Sequence, residues 1–200
     1  MSAEHSAEHN AEHIAGAAAR FTEIVHNVKP GQLADPTPCT EFDVRGLVNH
    51  LLFWGPSLVG AARKELVPPP AASESDVDLT GGDWAAALEE HAGRTAAAWG
   101  APAAWEGVTR MGGPMQLPAE LIGGMVAGEL VVHGWDLARA TGQRPDWDSD
   151  LLRYVHGEVE RSAELGRSSG VYGPEVTVPA DSSTLDRLLA LSGRDPRWTP

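Results

Sequence analysis

From Ile14 onward the chain places apolar side chains at helical spacing. Ile14, Ala18, Phe21, Val25 and Val28 fall on one face, which predicts a first core helix stopped at Lys29-Pro30-Gly31. After the loop ADPTPCTEFD, Asp43 is a suitable N-cap, and Phe42 and Leu47 stand at the two positions of a hydrophobic staple. A second helix therefore starts at Val44, with Leu47, His50, Leu51 and Trp54 on one face, and Pro56 is expected to kink or end it near Trp54. The run VPPPAASESDVDLTGG, residues 67–82, reads as a surface loop inserted between helices. Asp83 caps a third helix that aligns Trp84, Leu88, His91, Thr95 and Trp99. Two short extended runs around Gly112-Gly113-Pro114 predict a small hairpin, and a fourth helix follows over roughly 118–141. A fifth starts after Trp147 with Leu152, Val155 and Val159 inward. A short extended piece, EVTVP, precedes a last helix, SSTLDRLLALSG, closed by Gly193. The pattern predicts an all-α fold, a four-helix bundle with short extra helices and a small β-hairpin.

Residues 2–13 break the apolar pattern by repeating Ala-Glu-His three times at a spacing of four. If helical, the repeat places His5, His9 and His13 on one face. The expectation is a flexible, solvated extension over residues 1–13 and one bundle domain over 14–200, with a metal site on the histidines as the alternative.

Charge and composition narrow the partners. With 15 Lys and Arg against 28 Asp and Glu, the net charge of -13 disfavours nucleic acid and anionic membrane surfaces. No apolar run is long enough to span a bilayer, and the N-terminus resembles neither a signal nor a transit peptide. A single cysteine, Cys39, allows no internal disulfide, so the expected compartment is the cytoplasm. Monomer and homodimer both remain open.

One stretch does not fit an ordinary packed helix. GELVVHGWDLARATG, residues 128–142, carries Glu129 and His133 one turn apart, with Met125 and Asp136 on the same face. His50 lies on an apolar face of the second helix. Buried polar groups cost free energy unless something satisfies them. Either these side chains hydrogen-bond one another, or they bind a divalent cation. Asp136 reads as a supporting or exposed residue, and His91 is a competing third histidine.

The stretch DPTPCTEFDVRGLVNHLL (35–52) resembles the opening motif of actinobacterial metal-binding proteins of the mycothiol-dependent maleylpyruvate isomerase type, within the DinB-like four-helix superfamily. GELVVHGWDLARATGQ (128–143) resembles the second motif of that group, and VPADSSTLDRLLALSGRDPRW (178–198) the C-terminal signature of its single-domain members. The resemblance implies His50, Glu129 and His133 as ligands of a divalent metal, typically Zn2+ with Ni2+ as the alternative. It also implies a low-molecular-weight thiol, mycothiol, as cosubstrate beside an electrophilic small molecule. The maleylpyruvate isomerases carry a second, sterol-carrier-like domain, for which 200 residues leave no room, so the bundle and metal site are expected to carry over and the isomerase substrate is not.

The functional expectation is a metal-dependent thiol S-transferase or isomerase-like enzyme. The alternatives are a metal-dependent hydrolase with Asp136 as base, or a non-catalytic metal-binding or stress protein. Arg139 is a candidate for holding a carboxylate of the thiol, and Trp54 and Trp135 for walling the pocket. Cys39 is expected to serve the T-P-C turn and not to act as a nucleophile.

Overall fold

The computed structural model describes residues 3–200, with side chains from Ser6 onward, so the side chain of His5 lies outside the described residues. Six helices follow in order: α1 (Ala3–His26), α2 (Val44–Ala62), α3 (Trp84–Trp99), α4 (Ala119–Ala140), α5 (Ser149–Ser168) and α6 (Thr184–Leu191). The first four form a bundle in which α1 and α2 each pack against both α3 and α4. α5 lies on α4 and carries α6. The chain is all-α apart from β1 (Val108–Thr109) and β2 (Leu117–Pro118), which pair antiparallel as Val108 with Pro118 and Thr109 with Leu117.

Capping residues start α2 and α3 where the sequence predicts, and Ser183 caps α6. Asp43 accepts from Gly46 N at 2.7 Å, Asp83 from Ala86 N at 3.1 Å and Ser183 from Asp186 N at 3.0 Å. Bundle packing then buries Phe21, Leu47, Leu88, Trp99, Ile122 and Leu137 in one core. Trp99 and Trp105 reconcile their size with their polar edge there. Their Nε1 groups donate to Leu58 O at 3.2 Å and to Trp99 O at 2.8 Å.

Four expectations change. α1 does not begin at Ile14 but runs unbroken from Ala3 through the histidine repeat. Ala7 stands two helical turns before Ile14, so the repeat continues the core stripe and both Ala7 and His13 are buried. α2 does not end near Trp54 but passes through Pro56 to Ala62, because its flanks, Leu52, Phe53, Leu58 and Val59, are buried and keep the second half of the helix in the core. In α5 the inward residue of the first turn is Leu151, with Leu152 half-buried. EVTVP forms no strand; Val176 N instead donates to Ala190 O at 3.0 Å, fastening the segment to the end of α6.

Two glycines bring the last segment close to the bundle. Gly193 has φ +85°, and a Cβ there would stand 2.7 Å from Gly173 Cα. The turn after α6 therefore touches the turn after α5, backbone to backbone. In α4, Gly134 leaves room for Trp147, which would lie 3.2 Å from an added Cβ.

Candidate metal centre

α2 and α4 face each other across the bundle, and that contact brings His50 to Glu129 and His133. His50 Nε2 lies 3.3 Å from Glu129 Oε1, and His133 Nε2 lies 3.7 Å from the same oxygen. One donor atom from each of the three residues falls within 4.8 Å of the others. The rings of His50 and His133 meet edge to face, with centroids 5.2 Å apart.

Each imidazole is held from behind by a carboxylate. His50 Nδ1 donates to Glu74 at 3.0 and 3.1 Å, and His133 Nδ1 donates to Asp136 Oδ2 at 2.9 Å. A proton fixed on Nδ1 leaves the Nε2 lone pair free, and both Nε2 atoms point toward Glu129. Carboxylates in this position commonly support metal-bound histidines, fixing the tautomer and raising basicity.

Glu74 has no counterpart in the sequence reading, which places it in a surface loop. A single turn of 3-10 helix, Glu74–Asp76, carries it. Asn49 ties that turn down: its Nδ2 donates to Glu74 O at 3.2 Å and its Oδ1 accepts from Leu79 N at 2.8 Å. Trp54 Nε1 donates to Glu74 Oε1 at 2.7 Å, so Trp54 positions the same carboxylate that holds His50. The sequence signal for the turn is the capping box Ser73-Glu74-Ser75-Asp76, which marks a turn and not a site.

Asp136 is fully buried (0% exposed) and its Oδ2 also accepts from Arg194, Nη2 at 3.1 Å and Nε at 3.3 Å. Arg194 itself is 8% exposed and donates through Nη1 to Ser192 O at 3.0 Å. A relay thus runs from the turn after α6 through Asp136 to His133.

The charges of this cluster are uneven. Three carboxylates, Glu74, Glu129 and Asp136, face one guanidinium, Arg194, leaving two uncompensated negative charges when both imidazoles are neutral. A divalent cation cancels that excess, and the two nitrogens and one oxygen are a donor set that suits zinc or nickel. Without a cation the cluster compensates with a proton. Burial alone pushes the His50 imidazole down, but Glu129 and then Glu74 raise it to about 9. Burial likewise pushes Glu129 up, but His133, His50 and Arg194 together bring it down to about 2.

A cavity of about 660 Å³ opens on the triad. Phe42, Trp54, Met111 and Met125 make apolar walls; Tyr172, Gly173 and Arg194 close it from the segments that follow α5 and α6. Gly112, at φ +70°, lets the hairpin turn approach the Trp54 ring, which would stand 2.6 Å from an added Cβ. Cys39 also lines the cavity. Burial raises its thiol, and the charge of Arg194 only partly opposes this. Thr37 holds the T-P-C turn, its hydroxyl facing Cys39 O at 2.9 Å and Phe42 O at 2.7 Å.

Other residues singled out in the sequence lie elsewhere. Arg139 donates to Trp198 O and sits 5.9 Å from the Trp135 ring, away from the cavity lining. The cation at the cavity wall is Arg194 instead. A helix position near His133 favoured Arg139, but a guanidinium from a distant turn reaches the wall first. Trp135 is a core residue and does not line the cavity. His91 packs against Gly55, where an added Cβ would meet its Nδ1 at 2.4 Å, and it takes no part in the triad. Among the described residues no helix is long and apolar enough to cross a membrane.

Comparison with known proteins gives this arrangement a context. The profile of the family described as "Mycothiol maleylpyruvate isomerase N-terminal domain" matches residues 14–138. That span contains His50, Glu74, Glu129, His133 and Asp136, but not Arg194. Two uncharacterized proteins of Mycobacterium tuberculosis, from strains CDC 1551 / Oshkosh and ATCC 25618 / H37Rv, are each 29% identical over 180 residues, covering 88% of this chain and 93% of theirs. No solved structure matches.

Proposed function

Because this chain belongs to the mycothiol maleylpyruvate isomerase N-terminal domain family, we propose that it is a divalent-metal-binding protein that acts as a metal-dependent thiol S-transferase with mycothiol as the thiol. The observation that carries the reading is the pair of carboxylates behind the two imidazoles. Glu74 and Asp136 occupy both Nδ1 atoms, and both Nε2 atoms are turned to one point beside Glu129. His50, Glu129 and His133 would hold the ion, with zinc first and nickel second. Three protein ligands leave room for an exogenous group on the cavity side.

A divalent cation held there lowers the pKa of a thiol beside it and so makes the thiolate available as a nucleophile at neutral pH. The protein's own side chains prepare the place. Phe42, Trp54 and Met125 keep the cavity apolar next to the ligands. Arg194 holds Asp136 in place at the cavity wall. The electrophile enters through the mouth of the same cavity.

A hydrolase needs a general base within reach of the attacking water. Asp136 is fully buried and does not line the cavity, and its Oδ2 is taken by His133 and Arg194, so the base that reading names is out of reach of a water in the cavity. The transferase reading is therefore preferred.

The test is metal analysis of the purified chain, followed by mycothiol conjugation with a panel of electrophiles, with and without chelator. The reading expects chelator-sensitive conjugation restored by zinc or nickel, and loss of one metal equivalent in His50→Ala. Metal binding without conjugation would leave a non-catalytic metal-binding protein. Full metal content in His50→Ala would remove the triad.

A further inference from the structure

A second place in the fold brings two imidazoles together. His9 and His13 stand one turn apart on α1, with their Nε2 atoms 3.1 Å from each other. His13 is buried and its ring is fixed by stacking on Tyr154 of α5, centroids 4.6 Å apart and planes 16° from parallel. His9 is exposed, and its Nδ1 lies 3.7 Å from Glu12 Oε2. Both rings open on a cleft of about 380 Å³ between α1 and the start of α5. Glu12, Asp146, Asp148 and Asp150 line that cleft against one cation, Arg20.

The separation of the nitrogens has a second meaning besides a hydrogen bond. Two donors about 2.0–2.1 Å from one ion and separated by 3.1 Å subtend about 95–100° at it. That angle lies between the square-planar and tetrahedral values that late first-row metals adopt. The carboxylates of the cleft favour a cation, and Glu12 stands 3.7 Å from His9 Nδ1, the ring nitrogen turned away from His13.

We propose that His9 and His13 chelate a divalent transition metal of the copper, nickel and zinc class at a second site, separate from the triad. One imidazole anchored on Tyr154 and one exposed imidazole make a two-nitrogen chelate that needs little rearrangement to close on an ion. Water would complete its coordination, and the carboxylates lining the cleft would supply compensating negative charge. Both histidines precede the span matched by the family, so the site lies outside the part that the family profile describes.

The experiment is equilibrium dialysis of the full-length, untagged protein against low micromolar Ni2+, with metal analysis of wild type, His9→Ala and Glu129→Ala. His9 has a 60% exposed side chain, so its replacement leaves the fold intact. The expected result is one nickel equivalent fewer in His9→Ala than in wild type, with that equivalent retained in Glu129→Ala. Equal nickel content in wild type and His9→Ala overturns the proposal, whatever the triad binds. Loss of every equivalent in Glu129→Ala also overturns it, since all nickel would then sit at the triad.

Discussion

Glu74 and Asp136 would act on a bound metal without touching it. Each fixes the proton of one imidazole on Nδ1 and so directs the other nitrogen inward. Replacing Glu74 with Gln keeps the shape and removes the charge, and the expected loss in zinc affinity is about 10–100-fold. Competition with a fluorescent chelator measures it; unchanged affinity would mean that the His50–Glu74 contact only packs the loop. His50 also carries a proton signature. In the metal-free protein its pKa is about 9, so at neutral pH it is protonated, and a metal entering the site must displace that proton. Calorimetry at pH 7 in buffers of different ionisation enthalpy should therefore show about one proton released per metal at the triad, falling toward zero above about pH 9.

Among the elements, the turns after α5 and α6 decide the site although neither belongs to the four-helix bundle. Gly193 allows them to meet, and Arg194 follows directly. Gly193→Ala forces a Cβ against Gly173 at a backbone φ of +85°, and should destabilise by about 1–3 kcal/mol. Because the same shift moves Arg194 away from Asp136, metal affinity should fall with stability; denaturant titration and metal titration on one preparation would show whether the two are linked. α1 offers the opposite case. Deleting residues 1–12 removes His9 and the buried Ala7 but nothing from the triad. The expected result is a melting temperature lower by about 2–4 °C for a loss of ~1 kcal/mol, with the triad's metal retained. A truncated chain without triad metal would show that α1 supports the centre at a distance.

For the whole molecule, metal and pH act on one cluster of charge. Chelation leaves Glu129 in the bundle with the His50 and His133 imidazoles and the more distant charge of Arg194 in place of a divalent cation, so the metal-free protein should melt lower than the loaded one. The sign of the pH dependence follows from the two shifted groups. His50 is raised from 6.5 to about 9, so its contribution is complete below about pH 6.5 and is lost as pH rises through about 9. Glu129 is depressed from 4.5 to about 2, so its contribution is complete above about pH 4.5 and is lost as pH falls through about 2. The metal-free protein is thus expected to lose stability between about pH 6.5 and 9, while the metal-loaded protein, whose His50 has already given up its proton, does not. Thermal melts across that range in the presence and absence of chelator provide the comparison; parallel curves would contradict the assignment of His50.

The sequence by itself determined the helices and the three residues that converge. Apolar spacing and caps such as Asp43 and Asp83 are local, because a helix satisfies its own backbone within four residues. Glu129 and His133 were legible as a pair for the same reason, and His50 as a polar residue on an apolar face. The resemblance to a known family then joined them. What only the tertiary structure decided lies in the loops and at the chain's ends. Glu74 sits in a stretch of Pro, Ser and Asp with no periodicity, and it becomes a partner of His50 only because Asn49 and Trp54 hold it there. Arg194 replaced Arg139 at the cavity wall because a backbone contact between Gly173 and Gly193 carries it 58 positions in sequence to Asp136. The anchoring of the His13 ring likewise depends on Tyr154, which α5 brings to α1. Periodicity describes which face of an element turns inward; which distant side chain meets it there is set by how the elements pack, and that information is not local.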